Sequence, residues 1–167
     1  MMANEEFSTA DPTGDPELDR YDRLLLDALQ SDARLTGAEL AERVALSISP
    51  CWRRVKQLEA AGYIRGYQAQ LDPRRLGYGV TAFVSVMLDS HRLDVGQAFE
   101  ERVRDIPRIV ACHNVSGRYD FLLEVLARDL ESFGQFARDT LRKLPGVKES
   151  YSSFSLKAIK QDRHLPL

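Results

Sequence analysis

At 167 residues the chain can hold one ordinary domain or two small ones, and it is long enough to bury a real core. With 44% hydrophobic and 29% charged residues it has a globular composition, and a formal net charge of −2 gives no chain-wide attraction for nucleic acid, so any such footprint must be local. No stretch approaches the roughly 20 apolar residues of a membrane span, and Cys51, Cys112 and the three histidines fall at no metal-ligand spacing, so the expectation is a cytoplasmic chain with no membrane contact, metal or cofactor.

Residues 1–17 carry Glu5, Glu6, Asp11, Asp15 and Glu17 with no Lys or Arg, together with Pro12, Gly14 and Pro16. That composition predicts a disordered acidic tail, and it lacks the basic and apolar regions of a signal peptide. Residues 18–72 form the first predicted domain. Asp19 is placed to cap a helix through Ser31, with Tyr21, Leu24, Leu25, Ala28 and Leu29 at helical spacing on one stripe. Thr36 and Glu39 make a capping box for a second helix, whose apolar face is Leu40, Ala41 and Val44. A third helix is expected to start with Ser49 as cap and Pro50 at the first position, and to end at Gly62.

On that third helix Cys51, Val55 and Leu58 share one side, while Arg53, Lys56, Gln57 and Ala60 share the other. Two short helices joined by a tight turn, the second basic on its outer face, make a helix-turn-helix suited to a major groove. A plain three-helix bundle with solvated Arg and Lys has the same spacing. Charge favours the first reading: between Ser47 and Arg75, six basic residues (Arg53, Arg54, Lys56, Arg65, Arg74 and Arg75) are opposed only by Glu59 and Asp72. Ser47, Ser49, Pro50, Arg53, Arg54, Lys56, Gln57 and Arg65 are therefore the candidate DNA-binding residues. Arg54 and Arg65 fall to phosphate in this set, although Arg54, at the edge of the core stripe, is equally placed for an internal salt bridge. Tyr63 to Leu71 reads as an extended wing or exit strand.

Residues 73–79 are a linker, and residues 80–160 form the second predicted domain. Val80 to Leu88 is apolar on both alternating sides and so reads as a strand buried on both faces. Val95, Phe99, Val103 and Ile106 give a helix ended by Pro107; Arg108 to Ser116 and Phe121 to Ala127 are strands joined by the turn-forming Gly117, Arg118, Tyr119 and Asp120. Leu130, Phe133, Ala137, Leu141 and Leu144 predict one helix stopped by Pro145 and Gly146, and Val147 to Lys157 the last strand. The fold class is thus α+β: a winged helix-turn-helix domain followed by a ferredoxin-like βαββαβ domain. Both helices of that arrangement cover one sheet face, and the other face needs a partner. A two-fold homodimer supplies it and presents paired helix-turn-helix units to a pseudo-palindromic site.

The loop at Gly117 suits a zwitterion: glycine lets a ligand approach the backbone, free N–H groups hold a carboxylate, and Asp120 pairs with an ammonium. The same residues also make a simple hairpin. His113 is a packed or interface histidine or a pocket residue, Arg118 a specificity or solvated residue, and Tyr119 a packing aromatic.

Taken in order, Leu18-Asp19 and Asp22, Glu39-Leu40-Ala41, the run from Leu46 to Glu59 containing Ser49-Pro50-Cys51-Trp52-Arg53-Arg54, Gly62-Tyr63-Ile64, Leu76-Gly77, Cys112-His113, Val115-Ser116-Gly117, Tyr119-Asp120 and Leu144-Pro145-Gly146-Val147 resemble the Lrp/AsnC (leucine-responsive, feast-famine) regulators. The resemblance covers nearly all of the chain after the acidic tail. It implies a DNA-binding transcriptional regulator, not an enzyme, with an amino-acid effector bound around the Gly117 loop between dimers that often assemble into octamers. Ser152 and Ser153 of a facing subunit match the hydroxyls that complete such a site. Siroheme decarboxylases resemble the same two domains and would need His113 and Arg118 at a tetrapyrrole cavity; an amino-acid sensor without DNA binding is the third reading.

Overall fold

The computed structural model describes residues 18–90, 92–161 and 164–167, so the expected acidic tail at 1–17 lies outside the described residues. The chain separates into two compact units, one holding the residues up to Ala69 together with the last residues of the chain, the other spanning Gln70–Gln161.

In the first unit, α1 (Arg20–Ser31), α2 (Gly37–Arg43) and α3 (Ile48–Ala60) surround one core. Asp19 caps α1 and Thr36 caps α2, each in a reciprocal capping box that satisfies backbone donors left free by the first turn. The buried stripe of α1 is Leu25, Leu26 and Ala28, whereas Tyr21 and Leu24 stay 39% exposed, which corrects the expected stripe. Leu24, Leu25 and Leu26 are consecutive, so two stripes fit the same helix, and packing against α2 and α3 selects between them. Between α2 and α3, Leu46 N–H bonds to Ala41 C=O at 2.9 Å and Ala45 N–H to Glu42 C=O at 3.2 Å. This tight helix end forces Ala45 to φ +54°, the left-handed region in which glycine is the usual occupant.

Helix α3 begins two residues earlier than expected. Ser47 is its N-cap residue, without a side-chain capping bond, so Ser49 and Pro50 lie inside the first turn. Proline is tolerated there because the first N–H groups of a helix have no internal acceptor. At the other end Tyr63 N–H reaches Leu58 C=O at 3.0 Å and Gly62 N–H reaches Glu59 C=O at 3.1 Å, with Gly62 at φ +82°. Beyond it no strand forms in the segment expected as a wing.

The second unit contains β1 (Val80–Leu88), α4 (Leu93–Arg104), β2 (Ile109–Asn114), β3 (Phe121–Ala127), α5 (Leu130–Asp139) and β4 (Val147–Phe154). The sheet order is β2-β3-β1-β4, with every neighbouring pair antiparallel. Ala82, Val84, Val86 and Leu88 of β1 join Phe121, Leu123, Val125 and Ala127 of β3 under Phe99, Val103, Phe133 and Phe136 of the two helices. Only this face is buried. Phe83, on the opposite side of β1, is 40% exposed, so within one chain β1 is not covered on both sides as expected. Helix α5 also stops early, at Thr140, and Leu141 continues in a short 3-10 turn that sends Leu141 and Leu144 into the core.

Candidate functional site

Helix α3 divides by side-chain chemistry. Cys51, Val55 and Leu58 are 1%, 1% and 4% exposed, whereas Trp52, Arg53, Lys56 and Gln57 are exposed. Hydrophobic burial of the first set fixes the rotation of the helix and thereby turns the second set to solvent. Ser47, Ser49 and Arg65 are exposed as well, and Pro50 is half-buried.

Arg54 takes the other of its two expected roles. Its Nη1 lies 2.7 Å from Asp19 Oδ2 and 2.8 Å from Asp22 Oδ1, with the guanidinium stacked 5.6 Å from the Tyr21 ring. Hydrogen bonding to Asp22, then Asp19, raises its pKa, so the cation is committed to α1 and corrects the phosphate assignment. The carboxyl of Asp19 sits below its ordinary range, chiefly because it accepts the Asp22 backbone N–H and additionally because Arg54 faces it.

Lys56 is engaged on the exposed side. Its Nζ lies 2.6 Å from Glu59 Oε2 and 5.7 Å from the Trp52 ring centroid, and Tyr67 donates its hydroxyl to Glu59 Oε1 at 3.1 Å. The Lys56 hydrogen bond, followed by that of Tyr67, holds the Glu59 carboxyl below its usual range. Trp52, Glu59 and Tyr67 went unassigned in the sequence. Trp52 covers Gly37 so closely that a Cβ there would overlap its indole nitrogen. Nothing in the helical period announces this contact between helices.

In the sheet unit, Gly117 adopts φ +120° in the β2–β3 connection, which Val115 N–H closes on Asp120 C=O at 3.0 Å. Asp120 stitches this loop to the end of β1: its N–H donates to Val86 C=O at 2.9 Å and its Oδ2 accepts the Leu88 N–H at 2.7 Å. Arg118 Nη2 reaches Glu149 Oε1 of β4 at 3.4 Å, and its guanidinium lies 5.2 Å from the Tyr119 ring. His113 pairs in register with Leu122, on the exposed sheet face.

Over residues 81–165 the chain matches the model of the Lrp/AsnC ligand binding domain, and over residues 18–65 that of the winged helix-turn-helix DNA-binding domain. It is 42% identical over 143 residues to the Bkd operon transcriptional regulator of Pseudomonas aeruginosa, covering 86% of this chain and 94% of that one. To the leucine-responsive regulatory protein of Escherichia coli it is 38% identical, covering 89% of this chain and 91% of that one. The crystal structure of a Neisseria meningitidis transcriptional regulator in complex with L-Met superposes with a TM-score of 0.85 at 43% identity, over 89% of this chain and 96% of that one. The chain belongs to the Lrp/AsnC family of transcriptional regulators.

This Lrp/AsnC regulator has no helix, among its described residues, long and apolar enough to cross a membrane. Its expected effector residues do not all converge within one chain. Gly117, Arg118, Tyr119 and Asp120 are one loop, which meets β4 at Glu149. Ser152 pairs with Val84 and Ser153 with Phe83, so the two hydroxyls leave β4 on opposite faces of the sheet. They cannot line one pocket together, which corrects the expectation that both do.

Proposed function

We propose that this regulator reads duplex DNA with the outer face of α3 and that an amino acid held at its sheet domain alters that binding. The observation that carries the reading is the division of α3, with Cys51, Val55 and Leu58 locked into the core and Arg53, Lys56 and Gln57 presented together outside. Arg53 and Gln57 have the donor patterns that pair with guanine and adenine edges in the major groove. Lys56 leaves Glu59 at little cost, since an exposed ion pair contributes about 0–1 kcal/mol. Ser47, Ser49 and Pro50 lie at the helix start, where the backbone approaches the groove, and Arg65 is placed beyond α3 for phosphate.

The L-Met complex of the Neisseria relative supports the amino-acid class of effector. The Gly117 loop offers N–H groups to a carboxylate, and Asp120 retains acceptor capacity beside its bond to Leu88 N–H, because a carboxylate has about four lone-pair sites. His113, on the open face, and one serine from a facing copy complete the proposed site. Action in the cytoplasm, as a dimer or higher assembly on a pseudo-palindromic operator, belongs to the same proposal.

Two measurements test it. Duplex affinity, using a sequence enriched from a random library, is expected to fall steeply with salt. Arg53→Ala is expected to cost about 1–3 kcal/mol on that duplex, whereas Arg65→Ala weakens all duplexes alike and reduces the salt slope by about 1. A salt-independent, sequence-blind chain would sink the DNA reading and favour a sensor or enzyme. Thermal-shift titration against the twenty amino acids identifies the effector as the one that raises Tm.

A further inference from the structure

The last residues of the chain belong to the helical unit, although β4, the strand that leads to them, belongs to the other. His164 Nε2 lies 2.8 Å from Asp27 Oδ1 on α1. One turn further along α1, the Gln30 side-chain amide matches the peptide groups of Leu165 in both directions: its Nε2 donates to Leu165 C=O at 3.2 Å, and its Oε1 accepts the Leu165 N–H at 2.7 Å. A primary amide meeting one residue's donor and acceptor together requires an extended backbone in a set register, as in a strand pair. Leu165 and Leu167 line a groove of about 640 Å³ with Leu18, Leu26, Leu29, Tyr63 and Ile64.

We propose that this groove is a docking site for the chain's own carboxy-terminus, and that residues 164–167 act as a releasable strap giving the helix-turn-helix unit a second covalent tether to the sheet domain. The occupant is identified by the register that Gln30 imposes and by the two leucines that meet the apolar lining. Release follows from exposure: Leu165 remains 65% exposed and Leu167 44%, so docking buries only part of each side chain. Such contacts sit at the low-stability end of a fold, where local opening is frequent. Arg53, Lys56 and Gln57 do not line the groove, so the docked strap leaves the basic face of α3 open. A change transmitted along β4 reaches α1 through the strap without passing through residues 70–79.

The test uses the full chain carrying Cys112→Ser to remove the exposed thiol. Ala33→Cys and Leu167→Cys, two positions that line the groove, are expected to form a disulfide within one chain on mild oxidation, seen as linked peptides in a monomer band. Gln30→Ala is expected to slow that cross-link several-fold. Hydrogen exchange adds a second readout: in Gln30→Ala, and in a chain ending at Gln161, the α1 amides exchange roughly threefold to tenfold faster while the amides of β1 and β3 hold their wild-type rates. A disulfide-linked dimer would assign the groove to the tail of a second copy and overturn the proposal. Absence of the cross-link, or unchanged α1 exchange in both variants, would overturn it as well.

Discussion

Asp120 carries two duties that act on one carboxylate. Its Oδ2 holds the Leu88 N–H at the end of β1, and the same side chain is the proposed partner of an effector ammonium. Removing the acceptor leaves a backbone donor unpaired in a partly buried position, which costs about 1–3 kcal/mol. Asp120→Ala is therefore expected to lose stability of that order in denaturant unfolding, besides losing the effector response. Asp120→Asn separates the duties, because the amide oxygen still accepts from Leu88 but carries no charge. It is expected to unfold near wild-type denaturant concentrations while failing to show an amino-acid Tm shift; a retained shift would remove Asp120 from the ligand site. The sequence indicated a functional Gly-x-x-Asp loop but not the bond to Leu88, because that partner lies 32 residues away and only the β1–β3 register brings it near. Ser152 and Ser153 mislead for a related reason. Adjacent in sequence, they are separated by the pleat, and the strand period alone, applied to β4 from Phe83 and Val84, would have split them.

Helices were legible to the extent that their signals are local. Asp19 and Thr36 sit within three residues of the donors they cap, and both boxes form as the spacing implies. The start of α3 was displaced because Pro50 is acceptable throughout a first turn, so it marks the region of an N-terminus without fixing the cap. The break after α5 at Thr140 was hidden because Leu141 and Leu144 remain apolar and buried whether the helix continues or tightens. Asp129, the cap of α5, accepts the Ser132 backbone N–H at 2.7 Å, and this bond, followed by the Ser132 hydroxyl, lowers its pKa below the ordinary 3.8. The folded chain thus binds that proton less tightly than the unfolded chain. The cap's contribution is complete above the ordinary value and is lost as pH falls through the lowered one. Asparagine caps about as well without titrating. Asp129→Asn is accordingly expected to match wild type near neutrality and to show a shallower decline of Tm between about pH 5 and pH 3. Parallel melting curves at every pH would show that Asp129 does not contribute to acid sensitivity.

At the scale of the whole molecule, the sheet unit leaves an unfinished surface. Helices α4 and α5 cover the side of Val84 and Val86, and the other side presents Phe83, with Leu122, Leu126 and Met87 only half-buried around it and Tyr151 59% exposed on β4. The alternation of β1 already implied two apolar faces in the sequence; it could not say that the second belongs to a contact between chains, because burial by a neighbour and burial by the same chain select the same residues. A second copy packed face to face through a two-fold axis covers this surface and supplies two α3 helices for two half-sites. Phe83 lies on the central strand β1, so each copy brings the same ring to the middle of such an interface. Under two-fold symmetry Phe83→Asp is counted twice: at about 2 kcal/mol of lost burial per ring, the dimer weakens roughly a thousandfold, before the cost of desolvating the carboxylates. Sedimentation or light scattering at micromolar concentration is expected to find the wild type dimeric or larger and the variant monomeric with unchanged far-ultraviolet dichroism. Affinity for a two-half-site duplex should fall with it, while affinity for a single half-site stays constant, since α3 and its core are untouched. A variant that remains dimeric would place the subunit contact elsewhere on the sheet domain and leave the exposure of Phe83 without this explanation.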